Sequence, residues 1–233
     1  MKWRSIVFIS LYLLVAKAQA QVLIVAIFGD KLNSGKIEFG LDGGYNPSWF
    51  MNKSDAQTLN NLNLGFFFHI KLTEKSFIST GVHVKSNVGA SGMPTYSIGD
   101  PTFDAMYANG ELTTKLSIFY VPIQWQQRFN QFFVEGGIQP GLRSKVKDIF
   151  TVKEYGGDLE YTRQVSDDYT RLDFGVVGGM GYRLKPGLVA TSLGVNYYQG
   201  LVDVYKPASQ KITNSTLYLY VRIPIGAGKK NKD

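Results

Sequence analysis

The chain has 233 residues, no Cys, 25 Gly and a formal net charge of +7. Without Cys it has neither a disulfide framework nor an N-terminal lipid-bearing Cys, so its stability must come from burial or from a membrane. Three of the cations (Lys2, Arg4, Lys17) stand in the first 20 residues with no acid, and much of the remaining +4 sits in the closing "GKKNKD", a terminal tuft rather than the basic face a nucleic-acid binder needs.

Residues 1–20 read as a cleaved signal peptide. Lys2 and Arg4 form the charged start, Ile6 to Val15 an apolar run too short to span, and Ala18-Gln19-Ala20 a small-x-small cleavage site. The next run, "VLIVAIF", is separate. One helix reading through to Phe28 would bury Lys17, Gln19 and Gln21 in mid-membrane. It is also too uniformly apolar to alternate between two faces of a strand. Residues 21–35 are therefore expected to form a periplasmic N-terminal segment, docked near a barrel rim.

From residue 36 on, period-two alternation recurs. In "KIEFGLDGGY", Ile37, Phe39, Leu41 and Tyr45 oppose Glu38, Gly40, Asp42 and Gly44. Seven further stretches behave alike: "NNLNLGFFFHIKL", "SFISTGVHVK", "LSIFYVPIQWQQ", "QFFVEGGIQPGLR", "TRLDFGVVGGMGYRL", "LVATSLGVNYYQGL" and "STLYLYVRIPI". Each runs to about nine to thirteen residues, longer than a usual globular strand and suited to a tilted membrane strand. Their connections alternate strictly. "TEKS", "RFNQ" and "LKPG" are tight turns, whereas those near 47–58, 86–111, 144–168 and 202–214 are long and polar. Short turns on one side and long loops on the other are the pattern of outer-membrane barrels.

The expected fold is therefore all-β: a single antiparallel up-and-down transmembrane β-barrel over residues 36–226, followed by a basic C-terminal tail at 227–233. Eight strands are counted. "IFTVKEYGGDLEYTRQV" reads as a charged hairpin turning at Gly156-Gly157 above the membrane; if it spans instead, the barrel has ten strands. The competing architecture is a soluble barrel, whose apolar face would point inward. The Gly-rich polar face and the aromatics ending the apolar face (Tyr45, Trp125, Tyr182, Tyr197) favour the membrane reading.

Parity assigns a set of charges to the lumen: Glu38, Asp42, Lys71, Lys85, Glu135, Arg143, Arg171, Asp173, Arg183 and Arg222. An eight-stranded barrel is only just wide enough for its own side chains, and charges in so narrow a space must be paired. Acid–base pairs plugging the pore are expected; the alternative is a narrow conduit with an anion bias. Trp49, Phe50, Tyr96, Phe103 and Tyr155 are candidate loop contacts for a partner. His69 and His83 are offset rather than opposite if the hairpin turns at "TEKS", and read as polar filler. Asp100, Asp104, Asp167 and Asp168 read as solvated loop charge. No HExxH, GxSxG or P-loop spacing occurs, so neither enzyme activity nor a cofactor is expected.

"FGDKLNSGKIEFGLDGGYN", "YVPIQW", "FFVEGG", "DFGVVGGMGYRL" and "LGVNYYQGL" together resemble the outer-membrane β-barrel family of the Bacteroidota, labelled PorT-like or porin-family. The resemblance runs through most of the mature chain and rests on short motifs that specify fold better than role. It implies a small barrel in the outer membrane, surrounded by outer-membrane lipid, with a secretion or envelope protein as the partner class. Such barrels commonly end on a terminal aromatic read by the assembly machinery. Here the last strand ends "RIPIG", with Tyr218 and Tyr220 upstream as the nearest substitutes.

Overall fold

In a computed structural model of the protein, residues 36–225 are described apart from 155, 188, 208 and 209, as is every side chain among them except that of Lys85. The signal peptide, the "VLIVAIF" segment and the basic tail lie outside the described residues.

In chain order the elements are β1 (Ile37–Tyr45), β2 (Ser48–Met51), β3 (Gln57–Thr58), β4 (Leu62–Lys71), β5 (Ser76–Pro94), helix α1 (Pro101–Tyr107), β6 (Glu111–Tyr120), β7 (Ile123–Phe129), β8 (Phe132–Glu154), β9 (Gly157–Gln164), β10 (Leu172–Arg183), β11 (Ser192–Gly200) and β12 (Thr213–Pro224). Pro122, with no N–H to donate, separates β6 from β7; both pair with β5 and β8 and together make one stave. The ladder runs β1, β4, β5, β6/β7, β8, β10, β11, β12 and returns to β1 through antiparallel pairs such as Asp42↔Arg222. That is a closed ring of eight. The strand β9 pairs only with upper β8, from Lys147↔Gln164 to Glu154↔Gly157, and stays outside the ring. The ten-strand alternative is thereby excluded.

The apolar face points outward. Leu64, Trp125, Phe132, Val134, Leu142, Val176, Met180, Leu193, Leu219 and Ile223 are all exposed around the wall. Water would not tolerate so continuous a belt, and lipid does. The soluble-barrel alternative needs the reverse arrangement.

Inside, large aromatics lie across glycines of the neighbouring strand. A Cβ on Gly40 would stand 2.5 Å from the Phe67 ring, on Gly141 2.6 Å from Tyr120, on Gly181 2.3 Å from Phe133, and on Gly194 2.4 Å from Tyr220. Each of these pairs is directly opposite in the ladder. The glycines of the polar face make room for rings that fill a narrow lumen.

The strands rise well above the belt, which corrects two expectations. The stretches 86–111 and 144–168 are not long polar loops. Instead β5 continues to Pro94, β6 begins at Glu111, and β8 runs on to Glu154. Beside Ile118 of β6, β5 and β8 each carry an extra residue: His83 and Ser86 face Tyr120 and Ile118, and Arg143 and Lys145 face Ile118 and Ser117. Each bulge flips the parity of its strand. In β8 the buried positions change from Phe133, Glu135 and Gln139 to Val146, Asp148, Phe150 and Val152. In β6, which has no bulge, the outward residues change from Phe119 to Ser117, Lys115 and Thr113. Above this line the sheet has the polarity of a soluble protein, apolar within and polar without. Its core gathers Phe50, Val88, Met93, Tyr107, Leu112, Leu116, Val146, Phe150, Val165, Tyr169, Val204 and Ile212 into a cap over the lumen. A third correction concerns β11, which starts at Ser192; Val189 and Ala190, expected on a strand, belong to the connection from β10.

Candidate functional site

Around the carboxylates of Glu38, Glu135 and Asp42 the polar residues of the lumen form one connected network. Nearest the short turns, Glu38 of β1 contacts His69 Nδ1 at 2.9 Å, and Arg128 Nη2 donates to it at 3.1 Å. The Ala190 N–H donates to its other oxygen at 3.1 Å. Arg128 Nε donates to Gln126 Oε1 at 2.7 Å, and Gln126 Nε2 donates to Glu135 Oε2 at 2.9 Å. Glu135 also accepts from Arg222 Nη1 at 2.8 Å, Asn196 Nδ2 at 2.8 Å and the Tyr220 hydroxyl at 2.9 Å. Arg222 Nε donates to Asp42 Oδ2 at 2.8 Å, and the Tyr218 hydroxyl closes on the other Asp42 oxygen. Carboxylates held by several donors inside a low-dielectric space act as rigid crosslinks between staves.

Higher up, Asp173 is held differently. Its donors are the hydroxyls of Tyr120 at 2.6 Å and Tyr198 at 2.9 Å, and Asn214 Nδ2 at 2.7 Å. No ion pair involves Asp173 among the described residues, against the expectation that each lumen acid meets a base. Two phenols and an amide supply the hydrogen bonds that a guanidinium would have given.

Of the remaining parity assignments, Arg171 is corrected in position, and Lys71 and Arg143 in the partners they meet. Lys71 is half-buried at the short-turn rim and pairs with Glu74 at 2.7 Å instead of joining the network. Arg171 is exposed, one residue before β10 begins, so strand parity does not govern it. Arg143 is buried but spends its guanidinium on the carbonyls of Thr170, 2.8 Å, and Tyr169, 3.2 Å, tying a loop to the wall. Arg183 lies buried at the short-turn mouth, donating to the Gly187 carbonyl. For Lys85 the bulge at the same point of β5 breaks the parity that assigned it, and its side chain lies outside the described residues. Arg128, taken as part of a turn, is the arginine of the network that sequence reading missed. Two-residue counting back from Trp125 on the outward face would have placed Gln124, Gln126 and Arg128 inside.

Tyr218 and Tyr220, weighed as substitutes for a terminal aromatic, face the lumen and are committed to Asp42 and Glu135. His69 and His83 are opposite Ser79 and Gly65 respectively, so they do not meet. Among the described residues no group of three or more His, Asp or Glu could hold a metal ion. Asp100 caps α1 through the Thr102 and Phe103 N–H groups, and Asp104 accepts from Ser97 and the Ile98 N–H.

A void of about 10 Å³ lies in the lumen among Asn63, His83, Gln124, Asn196 and Tyr218, space for roughly one water. The candidate loop contacts divide. Phe50 is buried in the cap, and Phe103 packs on Tyr107, Phe150 and Tyr161 with ring centroids 4.4–5.3 Å apart, so neither is presented as a free contact. Trp49 is half-buried outside the wall, 6.2 Å from the Tyr197 ring. Tyr96 is exposed at its edge and donates to Asp148 Oδ2 at 2.9 Å, with Thr114 Oγ1 donating to Oδ1 at 2.6 Å. Burial and the neighbouring Asp148 carboxylate push the Tyr96 phenol up, and burial raises Asp148 against the opposing pull of those two hydrogen bonds. Tyr155 lies outside the described residues.

A closed eight-strand ring with an apolar outer belt, a crosslinked polar lumen and alternating short and long connections agrees with the comparison against known families. Residues 19–206 match the family model described as the outer membrane protein beta-barrel domain. The chain belongs to this family. It is an outer membrane β-barrel, so its short turns are read as periplasmic and its cap as extracellular. Solved barrels similar to it include Ail, the attachment invasion locus protein of Yersinia pestis, solved with the heparin analogue sucrose octasulfate: 12% identity, TM-score 0.44, covering 80% of this chain and 97% of that one. Neisserial surface protein A is similar at 12% identity and TM-score 0.40, covering 82% of this chain and 97% of that one. No curated protein matches the chain.

Proposed function

We propose that this outer membrane β-barrel is a plugged, non-conducting anchor that acts through its extracellular cap and periplasmic contacts, in binding, secretion or envelope assembly. The observation that carries this reading is the lumen: the connected set Glu38, Arg128, Gln126, Glu135, Arg222 and Asp42 crosses it beside a void of about 10 Å³, and an apolar cap lies above it. The Bacteroidota PorT-like resemblance makes a secretion or envelope protein the partner class. Outer-membrane lipid surrounds the belt, and nucleic acid has no place in the reading. Residues 1–20 serve as the export signal.

The test is conductance in planar bilayers, with heat-shifted gel migration as proof of folding. A folded and silent barrel supports the anchor. Stable charge-selective steps overturn it in favour of the alternative, a narrow porin-like channel for small solutes.

A further inference from the structure

A cavity opens below the lumen rather than within it. A mouth of about 660 Å³ opens at the short-turn end, lined by Lys71, Lys75, Phe77, Arg128, Arg183 and Glu74 among others. Four cationic side chains therefore face one carboxylate in that lining. Glu74 is already engaged by Lys71 at 2.7 Å. Lys75 is exposed on the turn and makes no ion pair among the described residues.

Arg128 is the informative member. It is only 4% exposed, and every part of its guanidinium but one is fixed. Nε is held by Gln126, Nη2 by Glu38, and the plane lies 3.6 Å from the Phe77 ring centroid. Nη1 is buried and has no hydrogen-bond partner among the described residues. A buried N–H of a charged group left unmade is costly. A guanidinium pinned on two edges and over one face is a preorganised positive charge in the wall of the mouth. The lumen network closes the cavity above, so a ligand entering it has no onward path.

We propose that this periplasmic mouth is a binding site for a phosphate-type oxyanion, with the Arg128 guanidinium as the fixed positive charge in its wall and Lys75 as the mobile donor at the rim. The group could be carried by a free periplasmic solute or by the headgroup of an inner-leaflet phospholipid. The chemistry is the same, and the two sources are separable.

The experiment uses the full folded barrel in a phosphate-free detergent. Inorganic phosphate is titrated by calorimetry, and native mass spectrometry after exposure to phosphatidylglycerol counts retained lipid. Lys75→Glu reverses an exposed charge and should leave heat-shifted migration unchanged while weakening binding by about tenfold. Arg128→Gln should abolish binding wherever it folds. Saturable phosphate binding sensitive to Lys75→Glu assigns a solute source. Lipid retention with that sensitivity, and no phosphate binding, assigns a headgroup. Absence of both in the folded wild type, or binding indifferent to Lys75→Glu, overturns the proposal.

Discussion

Arg222 Nη1 reaches Glu135 Oε2 at 2.8 Å across the lumen, joining β12 to a strand 87 residues earlier in the chain that it does not pair with in the sheet. The same guanidinium holds Asp42 on the adjacent stave. One side chain thus ties three staves and fills the section where a pore would run.

Removing it should do two things. Arg222→Met leaves Asp42 and Glu135 buried without their cation, a loss of roughly 3–5 kcal/mol. The expected result is a lower urea midpoint for the barrel. Restoring charge balance with the triple change Arg222→Met, Asp42→Asn and Glu135→Gln should recover much of that loss. A single variant as stable as wild type would show that the crosslink is not holding the staves.

The ring-over-glycine arrangement predicts a sharper effect. In Gly194→Ala the new methyl meets the Tyr220 ring and hydroxyl at about 2.4 Å, so the ring must move and its hydrogen bond to Glu135 is lost. A cost of about 1–3 kcal/mol is expected. Pairing Gly194→Ala with Tyr220→Ala should relieve the clash. Double-mutant unfolding in urea measures the coupling.

The cap should be separable from the barrel. Phe150 is fully buried there and meets the rings of Tyr96, Phe103, Tyr107 and Tyr161. Phe150→Ala should cost about 3–5 kcal/mol locally. Protease should then cut the cap in intact cells, with heat-shifted migration of the barrel preserved.

A pH dependence follows from Asp148, which stands on β8 above the belt, where Lys145 and Lys147 have replaced apolar residues outside. Its neighbours are the hydroxyls of Thr114 and Tyr96, with Lys53 and Asp168 acting at longer range, and burial is the largest influence on it. A raised folded value means the unfolded cap releases this proton first. The stabilisation is complete below the ordinary Asp value of about 3.9 and is lost as pH rises through the folded one. Hydrogen exchange in the cap, corrected for intrinsic rates, should slow as pH falls from neutral towards 4. Asp148→Asn should flatten that profile.

Much of the wall was legible from residue order alone. Side chains alternate across a strand with period two, so Leu64, Phe119, Trp125, Val134 and Leu219 declare the lipid face wherever the strand is regular. The alternation of "TEKS", "RFNQ" and "LKPG" with longer connections declares the up-and-down order. The hairpin of β8 and β9 followed from its glycines and charged arms, although Gly157 pairs with Glu154 in the ladder and the turn lies one residue earlier than expected.

Tertiary structure decided what happens where that regularity breaks and where partners come from distant strands. The bulges beside Ile118 shift Val146 and Phe150 inward, and no local pattern announces a single inserted residue. Asp173 finds Tyr120, Tyr198 and Asn214 rather than a base, and Arg128 finds Glu38, because closure of the ring places those staves around one narrow axis. Alternation is a property of neighbouring residues and can be read along the chain. Which acid meets which donor across a lumen is set by register and strand order, and exists only once the barrel has closed.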